Sequence, residues 1–353
     1  MRVPTMAEMI ANGETPEILF WVGCAGSFDQ RAQKITKAFA TILQHAGIKY
    51  AILGKEEACT GDPARRAGNE FLFQMSAYNN IQILNGYGVK KIVTACPHCF
   101  NILKNEYPEL GGTYEVIHHT QFLQQLINDG KVKMKEEGNF KGKRITYHDS
   151  CYLGRSNNIY EAPRKVLEAL DADLVEMKRC RSNGLCCGAG GAQMFKEEEK
   201  GNRYVNIERT SEAIETRAEV IAAACPFCNT MLTDGVKNKE KENEVTVMDV
   251  AEIVASVPDS DAIIPFLIFK SRAYQKAVDP ESHVSIELSG SLFDNSQNTS
   301  CGFTGSALFI ARASINCHHC VTSFSICCCQ LRSSLRCNSG ISACNVSLLS
   351  PCK

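Results

Sequence analysis

At 353 residues the chain is long enough for two domains, each able to bury a core without help from disulfides. Its 38 basic and 39 acidic residues leave a net charge of -1, which excludes the strongly basic surface expected of a nucleic-acid or anionic-membrane binder. Nineteen cysteines admit a secreted disulfide protein, a metal or cluster protein, or a chain with an aberrant segment. The opening MRVPTMAEMIANGETPE lacks the apolar run of a signal peptide, and no stretch of about 18 apolar residues offers a transmembrane segment. A cytoplasmic, reducing setting is therefore expected, where thiols serve metals or redox chemistry.

In chain order, β-branched runs predict strands at 17–23, 50–53, 91–95 and 114–117, and segments of helical period predict helices at 30–46, 64–87 and 97–104. This alternation predicts an α/β fold with a small parallel sheet flanked by helices. Residues 129–143, charged and bounded by glycines, read as a surface linker, and then the pattern starts again. Cys24, Cys59, Cys96 and Cys99 recur as Cys151, Cys186, Cys225 and Cys228, at offsets of 127, 127, 129 and 129 residues. Apolar runs precede both first cysteines (EILFWVGC, RITYHDSC) and both CxxC pairs (KIVTACPHC, EVIAAACPFC). The expected organisation is a first cysteine-rich half at 17–128, a linker at 129–143 and a second half at 144–256. Cys24, Cys96, Cys151 and Cys225 each end a predicted strand, where open α/β sheets form their crevices.

In CPHC and CPFC the proline suits the first position of a helix, so two sulfurs one turn apart face the same way at a helix amino end that favours thiolate. Such a clamp by itself serves zinc, a redox dithiol or an iron–sulfur cluster. The second half adds Cys187 beside Cys186, followed by Gly188. Adjacent cysteines bridge poorly to each other, and tetrahedral zinc needs only four ligands, so five convergent thiolates point to something larger than one ion. Glycines at 184, 188, 190 and 191 permit the close backbone approach that such a group requires.

Cys-x34-Cys-Cys-Gly-x36-Cys-Pro-Phe-Cys resembles the CCG cysteine-rich domain of heterodisulfide reductase B and D subunits and related Fe-S oxidoreductases, over residues 17–256 in two copies. The resemblance implies an iron–sulfur oxidoreductase subunit that handles single electrons at a cysteine-bound cluster and acts on a disulfide. It also implies a 4Fe–4S cluster, non-cubane in some members, on Cys151, Cys186, Cys187, Cys225 and Cys228. The first copy departs from the pattern with Cys59-Thr60-Gly61. Cys24, Cys59, Cys96 and Cys99 then leave a 4Fe–4S cluster and zinc both open.

No compact ferredoxin run and no GxGxxG after a strand occurs, so electrons are expected from a ferredoxin-type or flavin partner subunit, which would also bring the chain to a membrane periphery. Two other classes fit the same cysteines: a relay in a lactate, glycolate or electron-transfer-flavoprotein oxidoreductase, and a non-catalytic binding module stapled by zinc. His98 and His148 are read as structural histidines or as hydrogen-bond partners of a cluster. Asp62 and Asp149 share that ambiguity, Asp62-Pro63 with Arg65 and Arg66 reads as ordinary helix capping, and Cys180 reads as a spectator. Residues 288–353 hold nine cysteines and fourteen serines but five charges, so 260–353 is expected to be an aberrant extension without a stable fold.

Overall fold

The computed structural model describes residues 2–133, 139–197 and 201–256, and two short strands farther along. In the first half β1 (Ile18–Trp21), β2 (Tyr50–Ala51), β3 (Lys91–Thr94) and β4 (Glu115–His118) form a parallel sheet in the order β2-β1-β3-β4. The second half repeats it with β5 (Arg144–Tyr147), β6 (Asp173–Leu174), β7 (Val220–Ala223) and β8 (Thr246–Asp249), ordered β6-β5-β7-β8. In each sheet the chain steps to one side of its first strand and then crosses to the other. Strand order thus reverses between β1 and β3 and between β5 and β7, and a crevice opens at the carboxyl ends of those strands.

The helices of the first half are α1 (Met6–Ala11), α2 (Gly23–Phe28), α3 (Gln30–His45), α4 (Asp62–Arg66), α5 (Glu70–Gly86), α6 (Pro97–Asn101) and α7 (His119–Asn128). Those of the second are α8 (Glu161–Glu168), α9 (Val205–Glu215), α10 (Pro226–Asn238) and α11 (Val250–Ala255). The single helix predicted at 64–87 is broken in two. Gly68 takes a φ of 86°, which a residue with a Cβ resists, and the Asn69 side chain accepts the Leu72 N–H at 3.0 Å to start α5 afresh. Asp62 is not the cap of α4: that place belongs to left-handed Gly61, and Asp62 begins the first turn. The helix predicted at 97–104 is α6 followed by a π turn over Ile102–Glu106.

Strand alternation sorts side chains into three cores. Ile18 and Phe20 of β1 share one apolar body with Ile145, Tyr147, Val220 and Ala222 of the other half, whereas Leu19 and Trp21 turn to the first half's own helices and Ile221 and Ala223 to the second's. Phe140, within the segment read as linker, is also drawn into the shared body. Polar contacts close the same boundary: Arg31 on α3 forks onto Glu252 on α11 at 2.8 and 2.7 Å, and His119 meets Asp249 at 2.9 Å with both side chains fully buried.

His118, which abuts His119, is also fully buried, and burial followed by the neighbouring imidazole holds it well below its ordinary 6.5. It stays neutral in the folded chain but takes up a proton on unfolding. Its contribution to stability is therefore complete above about pH 6.5 and is lost as the pH falls below that, at up to about 1.4 kcal/mol per pH unit. Denaturant titrations between pH 7 and 5 should show this slope, and His118→Asn should make it shallower; equal slopes in the two proteins would refute the assignment.

The two halves form one compact unit. A separate unit contains β9 (Ala313–Ser314) paired antiparallel with β10 (Ser323–Phe324). The expectations for residues 134–138 of the linker, and for the rest of 260–353, lie outside the described residues. Among the described residues no helix is long and apolar enough to cross a membrane.

Candidate metal centres

Each crevice collects cysteines from elements far apart in the chain. In the first, Cys24 lies in the opening turn of α2 just past β1, Cys59 in the loop before α4, Cys96 at the cap of α6 just past β3, and Cys99 one turn along. The Cys24 thiol hydrogen-bonds Cys59, Cys96 bonds Cys99, and Cys99 senses the charges of Cys24 and Cys59. That bond from Cys24, aided by the Gly61 N–H at 3.4 Å, brings Cys59 down to about 7 against the cost of burial. A Cβ on Gly23 would lie 3.3 Å from Cys99 Sγ, so glycine keeps the crevice open there.

The second crevice repeats these contacts and adds a sulfur. Gly188, at a φ of 93°, donates its N–H to Cys186 Sγ at 3.3 Å, as Gly61, at 90°, does to Cys59. Cys187 Sγ lies 3.3 Å from Cys228 Sγ. At the matching place in the first half, Thr60 Oγ1 reaches Cys99 Sγ at 3.9 Å, so a hydroxyl stands where the fifth sulfur would be. Hydrogen bonds from Cys151 and Cys187 hold Cys186 far below the usual thiol range, while the same contacts push Cys151 and Cys187 up. Burial raises Cys225, but bonds to Cys228 and His98 outweigh it and leave it at about 5. The eight cysteines of the repeat, with Cys187 added to the second set, thus fall into two groups, of four and of five. Cys180 stands apart, half-exposed beside the turn Arg181–Asn183.

His148 is fully buried, and one of its ring nitrogens lies within 4.8 Å of the sulfurs of Cys187 and Cys228. Arg209 donates to its Nδ1 at 2.9 Å, so the neutral ring carries its proton on Nε2. Burial, and then the Arg209 charge, depress its pKa to about 3. Nε2 has no partner among the described residues, and neither does Trp21 Nε1, at the corresponding position three residues before the first cysteine of its half. A buried N–H without an acceptor costs about 1–3 kcal/mol. A group carrying sulfide would supply the acceptor that His148 lacks, so the second crevice fits an iron–sulfur cluster in both its donor set and its unspent hydrogen bond.

The remaining polar residues secure the scaffold. Asp149 is gripped by Arg164 at 2.8 and 2.9 Å and also accepts the Arg181 N–H at 2.6 Å, which ties the approach to Cys151 to the loop leading to Cys186. Arg65 pairs with Glu106 at 2.6 Å, and Arg66 with both Asp62 and Glu106. Glu57 has no counterpart in the repeat, and no sequence signal points to it. It accepts the N–H groups of Val22 and Gly23 at 3.0 and 2.5 Å and so holds the turn into Cys24, while burial pushes its carboxyl up to about 7.

A family model described as a cysteine-rich domain, CCG, matches residues 18–104 and 145–233. The chain belongs to the CCG family. Each CCG match holds one complete cysteine group and stops before the last strand of its sheet, so the His119–Asp249 contact is built from residues beyond the matched segments. Over 254 residues the chain is 50% identical to "Probable iron-sulfur-binding oxidoreductase FadF" of Bacillus subtilis, covering 72% of this chain and 36% of that protein. It is 45% identical to "EtfAB:quinone oxidoreductase" of Syntrophomonas wolfei, covering 69% and 34%. It is 37% identical to the D subunit of the dihydromethanophenazine:CoB–CoM heterodisulfide reductase of Methanosarcina barkeri, covering 68% and 58%. The chain therefore spans about a third to somewhat over half of the length of these relatives.

Proposed function

We propose that this chain is an iron–sulfur electron-transfer subunit of an oxidoreductase. Cys151, Cys186, Cys187, Cys225 and Cys228 hold a 4Fe–4S cluster, of non-cubane form, and Cys24, Cys59, Cys96 and Cys99 hold a second 4Fe–4S cluster. The observation that carries this reading is the fifth sulfur of the second group, which tetrahedral zinc does not use. Iron is assigned to the first group as well because the relatives spanning both halves include one named as iron–sulfur-binding. When bound, such clusters accept and release single electrons at potentials set by their ligands and surroundings.

The chain's own residues supply the rest. Thiolates bind; the Gly61 and Gly188 N–H groups stabilise anionic sulfur; His148 keeps an N–H ready for sulfide; and each half's own apolar core, which takes in Cys96 and Cys99 in the first and Cys187, Cys225 and Cys228 in the second, limits water at the inner side of its crevice. The electron donor and acceptor are a flavin subunit and a quinone-side or ferredoxin-type partner, a reading supported by the similarity to FadF and to EtfAB:quinone oxidoreductase. Each electron taken from the donor is passed to the acceptor, so the chain itself is unchanged after a cycle.

Disulfide reduction is the second reading, favoured by the five-cysteine group and the similarity to the heterodisulfide reductase D subunit. It requires two electrons and two protons for each pair of thiols released. Iron and acid-labile sulfide analysis of anaerobically purified protein, followed by electron paramagnetic resonance with and without a disulfide, tests both. Iron with sulfide supports the assignment, and a new signal on adding the disulfide favours the second reading. A colourless protein holding zinc alone would overturn the assignment, and zinc confined to the first crevice would overturn it for the first group.

A further inference from the structure

The helix α5, EFLFQMSAYNNIQILNG, runs for 17 residues with Glu70 as its one charged side chain. Phe73, Ala77, Asn80, Ile81 and Leu84 recur at helical spacing and are buried. That inner face lies on the loop that carries Cys59. Asn80 Nδ2 donates to the Cys59 carbonyl at 3.0 Å, Asn80 Oδ1 accepts the Ala58 N–H at 3.4 Å, and a Cβ on Gly61 would meet the Phe73 ring at 2.9 Å. The outer face is apolar as well. Phe71, Leu72, Met75 and Tyr78, linked by i+3 and i+4 spacing, are 78%, 51%, 55% and 59% exposed. A surface helix turns charge towards water, and a helix that is apolar all round is ordinarily covered.

We propose that the outer face of α5 is the docking surface of a flavin-bearing electron donor, which passes its electron across the helix to the group held by Cys24, Cys59, Cys96 and Cys99. The proposal rests on the iron–sulfur reading of that group. With about 150–250 Å² of surface on each aromatic ring, the exposed parts of the four side chains amount to about 500 Å². A lasting dimer covers about 800 Å² on each partner, whereas short-lived redox contacts cover less, so the patch has the size of a passing encounter. Two aromatic rings with Leu and Met, and no lysine or arginine, match the centre of an interface. The arginines of α4 just ahead are engaged, Arg65 by Glu70 and Glu106 and Arg66 by Asp62 and Glu106. An acidic iron–sulfur carrier or an anionic membrane would call for free cations at this place. A flavin presents an apolar dimethylbenzene edge, and a carrier that exposes this edge meets a neutral apolar face without stripping water from charge. One helix, about 10 Å across, then separates the donor from the Cys59 loop. In the step itself one electron leaves the reduced flavin and enters the first group; no bond between the proteins forms or breaks, and the flavin's proton passes to solvent.

Iron and sulfide content of the parent protein decides the underlying reading first. The surface is then tested by anaerobic stopped-flow mixing of the iron-loaded protein with a reduced bacterial electron-transfer flavoprotein, and in parallel with dithionite, which needs no docking face. The double variant Phe71→Gln, Met75→Gln puts a good helix former at two exposed places. Its second-order rate constant with the flavoprotein should fall about tenfold, while reduction by dithionite keeps the parental rate. Phe195→Gln removes an exposed ring from the turn Gln193–Phe195 of the second half and should keep the parental rate with both reductants. With iron and sulfide present, equal flavoprotein rates for the parent and the double variant overturn this inference alone. So does a parent that dithionite reduces and the flavoprotein does not, or a fall in rate with Phe195→Gln in place of the double variant. Sedimentation velocity reads the remaining occupant: a parent dimer that the double variant dissociates assigns the face to a second copy of this chain and overturns the proposal. Should the double variant lose iron, Tyr78→Gln carries the same comparison.

Discussion

Cys187→Ser should strip the second crevice of its iron, taking with it roughly half of the total if both crevices hold four-iron clusters, whereas Cys180→Ser should leave iron and sulfide at the parental level. The two cysteines are seven residues apart and differ only in where the chain carries them. Cys187 is buried with its sulfur 3.3 Å from that of Cys228, between the amino end of α10 and the glycine-bearing loop. A serine there is shorter, harder and far less acidic than a thiol, and it leaves a soft metal one anionic ligand short in a site that admits little water. Cys180 is half-exposed and outside the cysteine group, and burial and the nearby Glu176 charge raise its thiol above the ordinary range. Colorimetric iron and sulfide per chain, with the visible spectrum, read the difference, and indistinguishable variants would defeat the ligand assignment.

Arg164→Met should destabilise the protein by about 3–5 kcal/mol. The guanidinium is buried and forks onto Asp149, contacts Glu176 at 2.6 and 2.9 Å, and donates to the Tyr160 carbonyl at 2.8 Å. Methionine fills much of the volume but leaves the Asp149 carboxylate enclosed without its counter-charge, and that unpaired anion is the dominant cost. Asp149 loses part of its hold on the Arg181 N–H as well, so the loop towards Cys186 loosens. Chemical denaturation of the anaerobic protein gives the magnitude. The double variant Arg164→Met, Asp149→Leu should recover stability relative to Arg164→Met, since it removes the stranded charge. A loss below about 1 kcal/mol in the single variant would show that water reaches Asp149 and that the pair is dispensable.

The cysteine groups were legible because duplication prints the same spacing twice, and two copies of one pattern constrain each other in a way a lone CxxC does not. The strands were legible for a related reason. Segments such as ILFW and VIAA are apolar on both faces because helices cover each sheet on both sides, those on one side also meeting the sister half. What stayed hidden depends on contacts between residues far apart in the chain. Nothing near His98 in the sequence tells that its ring will lie against Tyr152 and Phe227 of the other half, and nothing marks Glu57, whose partners are backbone N–H groups 34 and 35 residues earlier. Helical period joined α4 to α5 because apolar residues continue through the break, and only the φ of Gly68 and the Asn69 cap reveal two helices.

The apolar body common to both sheets has a consequence for the molecule's ancestry. A lone ancestral half would have turned the outer faces of α3 and α7, or of α11 and α8, towards water, since α3 packs on α11 and α7 on α8. Such a precursor is expected to have persisted as a homodimer, with a second identical chain covering that side. Tandem fusion made the pairing permanent and freed the copies to diverge, one keeping cysteine where the other took Thr60.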